Sequence, residues 1–162
     1  MKKWMLILML SIFLTACGVE EPLETVYDVW SVPEAPRMRQ VQIDLPGETA
    51  VNTMQSDSGQ FYICDGYEIS VEAMESGDLE QTVFSVSGKE PEELTILETQ
   101  QGDLTRYEFV WATAGERGDR LGRSVILDDG NYHYTLTVLR DAELSENSQI
   151  RWNDVFRSFN AV

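Results

Sequence analysis

Two hydrophobic periods organise the chain beyond residue 38. Val41, Ile43 and Leu45 alternate with polar residues and predict a short strand, stopped by Pro46-Gly47. A loop through Asp57-Ser58-Gly59 leads into a hairpin. Its second strand is clear, because Tyr67, Ile69, Val71 and Ala73 alternate with Glu68, Ser70 and Glu72. Asp65-Gly66 is a two-residue hairpin turn that pairs Cys64 with Tyr67 and Tyr62 with Ile69, so the strands span 60–64 and 67–74. The period then changes. Leu79, Val83 and Val86 share one helical face, Asp78 stands at the N-cap with Gln81 placed for a capping box, and Gly88 occupies the C′ position. After a loop over 89–93, strands are predicted at 95–98, 105–113, 121–127 and 132–139. Gly102-Asp103, residues 114–119 and Asp129-Gly130 supply the turns between them. Trp152, Val155, Phe156 and Phe159 fall at i, i+3, i+4 and i+7 and predict a closing amphipathic helix.

The order is three strands, a helix, four strands and a helix, with tight turns between consecutive strands. Such turns make the sheet largely antiparallel. Its apolar face needs cover, and the two helices are the available material. The expected fold is α+β, with about six or seven strands packed by two helices, in a single domain over 39–162.

The first seventeen residues follow a different pattern. Lys2 and Lys3 precede an apolar run from Trp4 to Phe13, and Leu14-Thr15-Ala16-Cys17 follows at once. The run is about a dozen residues, short of the roughly 20 that span a bilayer as a helix. A basic start, a short apolar middle and small residues before a break are signal-peptide features. The tetrapeptide resembles the lipobox of bacterial lipoproteins, which implies cleavage after residue 16 and lipidation of Cys17. The expected location is the extracytoplasmic face of the bacterial membrane. The lipid bilayer is then a partner through Cys17, because a diacylglyceryl thioether meets the two-chain requirement for stable anchoring. Residues 17–38 read as a lipidated N-terminus and tether, with Glu20, Glu21, Glu24, Asp28 and Glu34 interleaved with Pro22, Pro33 and Pro36. Val26, Tyr27, Val29 and Trp30 interrupt it and are expected to dock on the domain, a contact with another molecule being the alternative.

Loss of residues 1–16 from the 162-residue chain leaves 146, enough for one sizeable core. It also removes two lysines, so the net charge moves from −16 to −18 and Lys89 is the one lysine left. That balance excludes a nucleic-acid footprint and adsorption to anionic head groups. Solubility explains it; attraction of cations or of a basic partner is the alternative. With Cys17 consumed by lipid, Cys64 has no intramolecular partner, and its place on the apolar side of the hairpin predicts a buried, inert thiol.

The final strand Tyr132-His133-Tyr134-Thr135-Leu136-Thr137-Val138, an acidic loop and a terminal helix ending Phe156-Arg157-Ser158-Phe159 resemble the PsbP/Mog1-like α/β fold. Small DcrB-like bacterial lipoproteins share it, and the aromatic strand Tyr107-Glu108-Phe109-Val110-Trp111 fits the same plan. The resemblance covers roughly residues 39–162 and rests on element order. It implies fold rather than activity; members mostly act as non-enzymatic accessory or assembly factors.

Chemistry is sparse. His133 is the one histidine, so no His-based metal cluster is expected, and its strand position opposes Tyr132, Tyr134, Leu136 and Val138. No Gly-x-Ser-x-Gly elbow or phosphate loop is present. Asp128-Asp129-Gly130-Asn131 lacks the spaced ligands of a calcium loop and reads as a type I′ turn. No cofactor is expected. Arg117, Arg120 and Arg123 lie within one hairpin of an acidic protein and are a candidate docking spot for a carboxylate or phosphate, with local neutralisation as the alternative. Tyr107, Phe109 and Trp111, with Tyr132 and Tyr134, suggest core packing or an aromatic groove for a peptide or glycan. The expected function is a non-enzymatic binding or assembly module of the envelope. The alternatives are a carboxylate-based hydrolase of envelope material and a solute- or metal-capturing lipoprotein.

Overall fold

The computed structural model describes residues 35–47, 50–51, 59–114, 118–143 and 150–162. The folded unit is Pro36–Val162. Its strands are β1 (Val41–Gln42), β2 (Ala50–Val51), β3 (Gly59–Cys64), β4 (Tyr67–Glu75), β5 (Leu97–Gln101), β6 (Leu104–Thr113), β7 (Arg120–Asp128), β8 (Tyr132–Asp141) and β9 (Asn160–Ala161). The helices are α1 (Leu79–Ser87) and α2 (Trp152–Ser158), with a 3-10 turn at Pro91–Glu93. Seven strands form one sheet in the order β2-β3-β4-β8-β7-β6-β5, and every neighbouring pair is antiparallel. The fold is α+β.

Local chemistry explains the hairpins. Asp65 (φ 47°) and Gly66 (φ 78°) both adopt positive φ, the requirement of a type I′ turn, and the register pairs Cys64 with Tyr67 and Tyr62 with Ile69 as expected. α1 begins at Asp78, whose side chain accepts from the backbone N–H of Glu80 rather than from Gln81. It ends at left-handed Gly88, whose N–H donates to the Phe84 carbonyl at 2.7 Å. The β7–β8 turn departs from the type I′ expectation, because Gly130 has positive φ and Asp129 does not. Instead Asp128 and Asp129 fold their carboxylates back onto the N–H groups of Gly130, Asn131 and Tyr132.

The helices divide between the two faces of the sheet instead of sharing one. α2 and the β1–β9 ribbon cover the face that carries Ile69, Val71, Val125, Leu127, Tyr134 and Leu136. α1 crosses from β4 to the far edge at β5 and covers the opposite face, where Val83 packs with Phe109 and Ile126. β7 and β8 are therefore buried on both sides: Ser124, Val125, Ile126, Leu127, Tyr134, Thr135 and Leu136 are all inaccessible. Ser124 and Thr137 on the α1 face are satisfied locally, whereas the buried Thr135 hydroxyl has no partner among the described residues. Trp111 Nε1 donates to Ser124 Oγ at 2.9 Å, and Ser124 Oγ lies 3.0 Å from Thr137 Oγ1. Gly122 is the cross-strand partner of Trp111 and leaves room for the indole; a Cβ there would overlap the Trp111 ring.

Candidate functional site

The α2 face is covered unevenly because α2 is short. Seven residues at 1.5 Å each give a helix of roughly 10 Å. Phe156, Phe159 and Val155 bury themselves over the central rows of the sheet. Two rows beyond them stay open. In one, Val110, Arg123 and Val138 stand side by side; in the next, Ala112, Leu121 and Arg140 do. Across the opening Trp152 stacks on Tyr67 with ring centroids 4.5 Å apart at 41°. The result is a groove of about 1030 Å³, with Leu121, Val138, Tyr67, Trp152 and Phe156 among its apolar lining.

Its border is cationic. Arg123 and Arg140 come from the sheet, Arg151 and Arg157 from the start and last turn of α2. Asp154 is the one carboxylate among the described lining residues. Four of the nine arginines thus gather at one opening on a chain with more than twice as many acids as bases. Arg123 is held in place: Nε donates to Glu108 Oε1 at 2.9 Å, Nη1 donates to Asn153 Oδ1 at 2.7 Å, and the guanidinium lies 4.2 Å from the Phe156 ring centre. Beneath it, Arg106 donates to the Phe156 carbonyl at 2.9 Å and to Gln101 Oε1 at 3.0 Å. Burial lowers the Arg106 pKa against the opposing pull of Glu108. These bonds tie α2 to β5, β6 and β7 and extend the groove by a smaller recess of about 370 Å³ beside Gln101, Arg106 and Glu108. Arg157 stands free of such clamping, 81% exposed and 4.0 Å from Asp154.

A second cleft of about 600 Å³ lies beside Asp44, Cys64, Asp65 and Asp154. Among the described residues no three His, Cys, Asp or Glu side chains are grouped to hold a metal ion.

The residues singled out in the sequence fall in several places. Cys17 and Arg117 lie outside the described residues. Arg120 and Arg123 are three apart on β7, so the strand turns them to opposite faces. Arg120 meets Glu68 at 2.9 Å and Asp141 at 3.4 Å, whereas Arg123 enters the groove. The structure does not bring these two together. His133 is 2% exposed beneath α1, with Nδ1 2.7 Å from Thr82 Oγ1 and Nε2 3.7 Å from Asp128. Cys64 is buried and free. Tyr107, Phe109 and Trp111 face α1, while Tyr132 and Tyr134 face the other side, so these five rings do not form one aromatic groove. The aromatic pair in the groove is Tyr67 and Trp152.

No family model matches the sequence, and no curated protein matches it. Solved structures share its fold. One is a Bacteroides thetaiotaomicron protein with a TM-score of 0.52 at 10% identity, covering 75% of this chain and 45% of that one. This chain therefore spans less than half of that protein's length. Another is LpqN, involved in cell envelope biogenesis of Mycobacterium tuberculosis, with a TM-score of 0.50 at 10% identity over 80% of this chain and 87% of LpqN. At that identity the likeness is one of fold. Among the described residues no helix is long and apolar enough to cross a membrane.

Proposed function

We propose that this protein is a lipid-anchored, non-enzymatic binding module of the bacterial envelope, acting through the groove beside α2. The observation that carries the reading is the arginine border around an apolar floor on a protein of opposite net charge. The chemistry suits retention of a ligand: aromatic and aliphatic side chains supply area, and guanidinium groups fix orientation. Catalysis by paired carboxylates would need two of them facing across a cleft, one with a raised pKa, and Asp154 is the lone described carboxylate in the groove. The role of LpqN in envelope biogenesis and the lipobox-like run ending at Cys17 support an envelope location. The order of strands and the terminal helix support a PsbP/Mog1-like type for the fold.

Two measurements test this. Cys17→Ala in the full chain is expected to abolish palmitate labelling and release the protein from the membrane fraction. A photo-crosslinking residue at Leu121, in the groove, is expected to trap a discrete adduct in cells, whereas one at exposed Phe84 on α1 is not. Equal trapping from both positions, or turnover of peptidoglycan by the purified chain, would overturn the reading.

A further inference from the structure

The groove adjoins an open sheet edge. β5 pairs with β6 from Leu97↔Glu108 to Gln101↔Leu104, yet β6 continues to Thr113. Among the described residues Phe109–Thr113 therefore pairs with β7 alone, along about 16 Å at a strand's rise per residue. Sheet edges in soluble proteins are guarded by charge, proline, bulges or cover, because bare N–H and C=O groups recruit another strand. The sequence Phe-Val-Trp-Ala-Thr carries neither charge nor proline. β5, at the edge of the same sheet, is polar instead, with Glu98, Thr99, Gln100 and Gln101. Val110 is 67% exposed, and both it and Ala112 line the groove.

We propose that the ligand of the groove is an extended acidic peptide segment that adds a strand to β6 at Phe109–Thr113. The proposal rests on the groove reading above and names its occupant. In an added strand, alternate side chains fall on the α2 face beside Val110 and Ala112, where Arg123, Arg151 and Arg157 stand. Carboxylates at those positions meet guanidinium groups, and the remaining side chains lie toward Phe109 and Trp111 on the other face. The protein's net negative charge does not prevent this. Exposed charges beyond a Debye length of about 8 Å are largely screened at physiological ionic strength, so the nearby arginines decide the local sign. A basic segment meets like charge here, and a second copy of this chain brings its own arginine border to the same edge.

The test uses the full-length chain in nonionic detergent and three fluorescein-labelled decapeptides: alternating Val and Glu, alternating Val and Lys, and the Val/Glu peptide N-methylated at alternate backbone nitrogens. Anisotropy is expected to show binding of the Val/Glu peptide, at least tenfold weaker binding of the other two, and a similar loss in Arg151→Glu/Arg157→Glu. Both arginines are exposed, so that variant keeps the fold. Hydrogen exchange of the Phe109–Thr113 amides should slow on binding, with α1 unchanged. If charge reversal abolishes binding while N-methylation and edge exchange have no effect, strand addition is overturned and the groove reading stands. If the Val/Lys peptide binds as well, or the edge amides are protected in a peptide-free dimer, the acidic-peptide assignment is overturned.

Discussion

One carboxylate fastens the start of the domain to the β7–β8 turn, and its removal is a sharp test of how the fold is held. The Asp129 side chain is 5% exposed. It accepts from the N–H groups of Asn131 and Tyr132 at 2.8 and 2.7 Å, accepts from the Tyr134 hydroxyl at 2.9 Å, and lies 3.3 Å from Arg39. The same hydroxyl accepts from the Arg39 backbone N–H at 2.8 Å, so residue 39 is held through backbone and side chain together. Hydrogen bonds to a charged acceptor are worth about 1.5–3 kcal/mol each but do not add when shared. Asp129→Ala strips all of them and leaves a buried tyrosine hydroxyl without an acceptor. Breaking a buried charged pair costs about 3–5 kcal/mol. Arg39 keeps a second partner, Asp103 at 2.6 Å, so the expected loss is about 3 kcal/mol. For a domain of this size that lowers Tm by roughly 10 °C. Asp129→Asn keeps an oxygen for the two N–H groups and should cost about half as much.

The pH dependence gives the decisive readout. Burial pushes the Asp129 carboxyl up, but the two backbone N–H groups, Tyr134 and Arg39 together hold it below its ordinary value of 3.8. A carboxyl with a lowered folded pKa contributes stability that is fully present above the unfolded value. That contribution is lost as pH falls through the folded value. Urea unfolding of the full chain and of Asp129→Asn should therefore show a constant stability gap from pH 8 to 5 that closes below about pH 4. A gap unchanged down to pH 2.5, or an Asp129→Ala variant within about 0.5 kcal/mol of the parent, would refute the account.

Three further outcomes follow from packing. Gly122→Ala places a Cβ against the Trp111 ring and should cost about 1–3 kcal/mol with a shifted tryptophan emission; unchanged emission and stability would show that the indole moves without penalty. Thr82→Val removes the partner of buried His133 Nδ1 and should cost about 1–3 kcal/mol, whereas Thr82→Val/His133→Leu should cost less than the sum of the two single changes; strict additivity in the cycle would argue against a hydrogen-bonded pair. Cys64, 3% exposed, should react with a thiol reagent only as fast as the domain opens, so labelling within seconds under native conditions would contradict its burial.

Where a local signal fixes geometry, the sequence is readable. Asp65-Gly66 sets both turn and register, so the pairing of Cys64 with Tyr67 follows from two residues. Asp78 and Gly88 bound α1 in the same way. Boundaries fail where a longer-range contact wins. The strand expected at 95–98 starts at Leu97, because Pro91 and the Glu90–Glu93 capping box form a turn and Leu94 and Ile96 pack onto the α1 face. β1 and β9 are two residues each and pair across more than a hundred positions, beyond any local pattern. The split of the helices between faces is foreshadowed only in β7, where Val125, Ile126 and Leu127 break alternation and signal burial on both sides. For the groove, proximity in sequence misled. Arg117, Arg120 and Arg123 are neighbours in the chain, but a strand sends Arg120 and Arg123 to opposite faces. Arg123, Arg140, Arg151 and Arg157 are scattered, and the β7–β8 register with the return of α2 gathers them.

The same geometry explains why this opening lies on the α2 face. On the α1 side the positions at the level of the groove are filled: Gly122 admits the Trp111 indole, which caps the Ser124–Thr137 hydroxyl pair. On the α2 side the corresponding rows hold Val110, Arg123 and Val138, then Ala112, Leu121 and Arg140. A helix one turn longer would add roughly 5 Å of cover. α2 instead begins at Trp152, whose ring turns onto Tyr67 and forms a wall rather than a roof. Glu108 and Asn153 then hold Arg123 between Val110 and Val138, and Phe156 supports it from below. Local charge balance would need one acid per arginine at the opening. Glu108 meets Arg123 from the adjoining recess and Asp154 lies 4.0 Å from Arg157, so the exposed guanidinium groups of Arg151 and Arg157 are what the opening offers an anion. Arg151 and Arg157, beside a five-residue edge that has no second strand among the described residues, are an arrangement that an extended acidic segment satisfies at once in charge and in backbone hydrogen bonds.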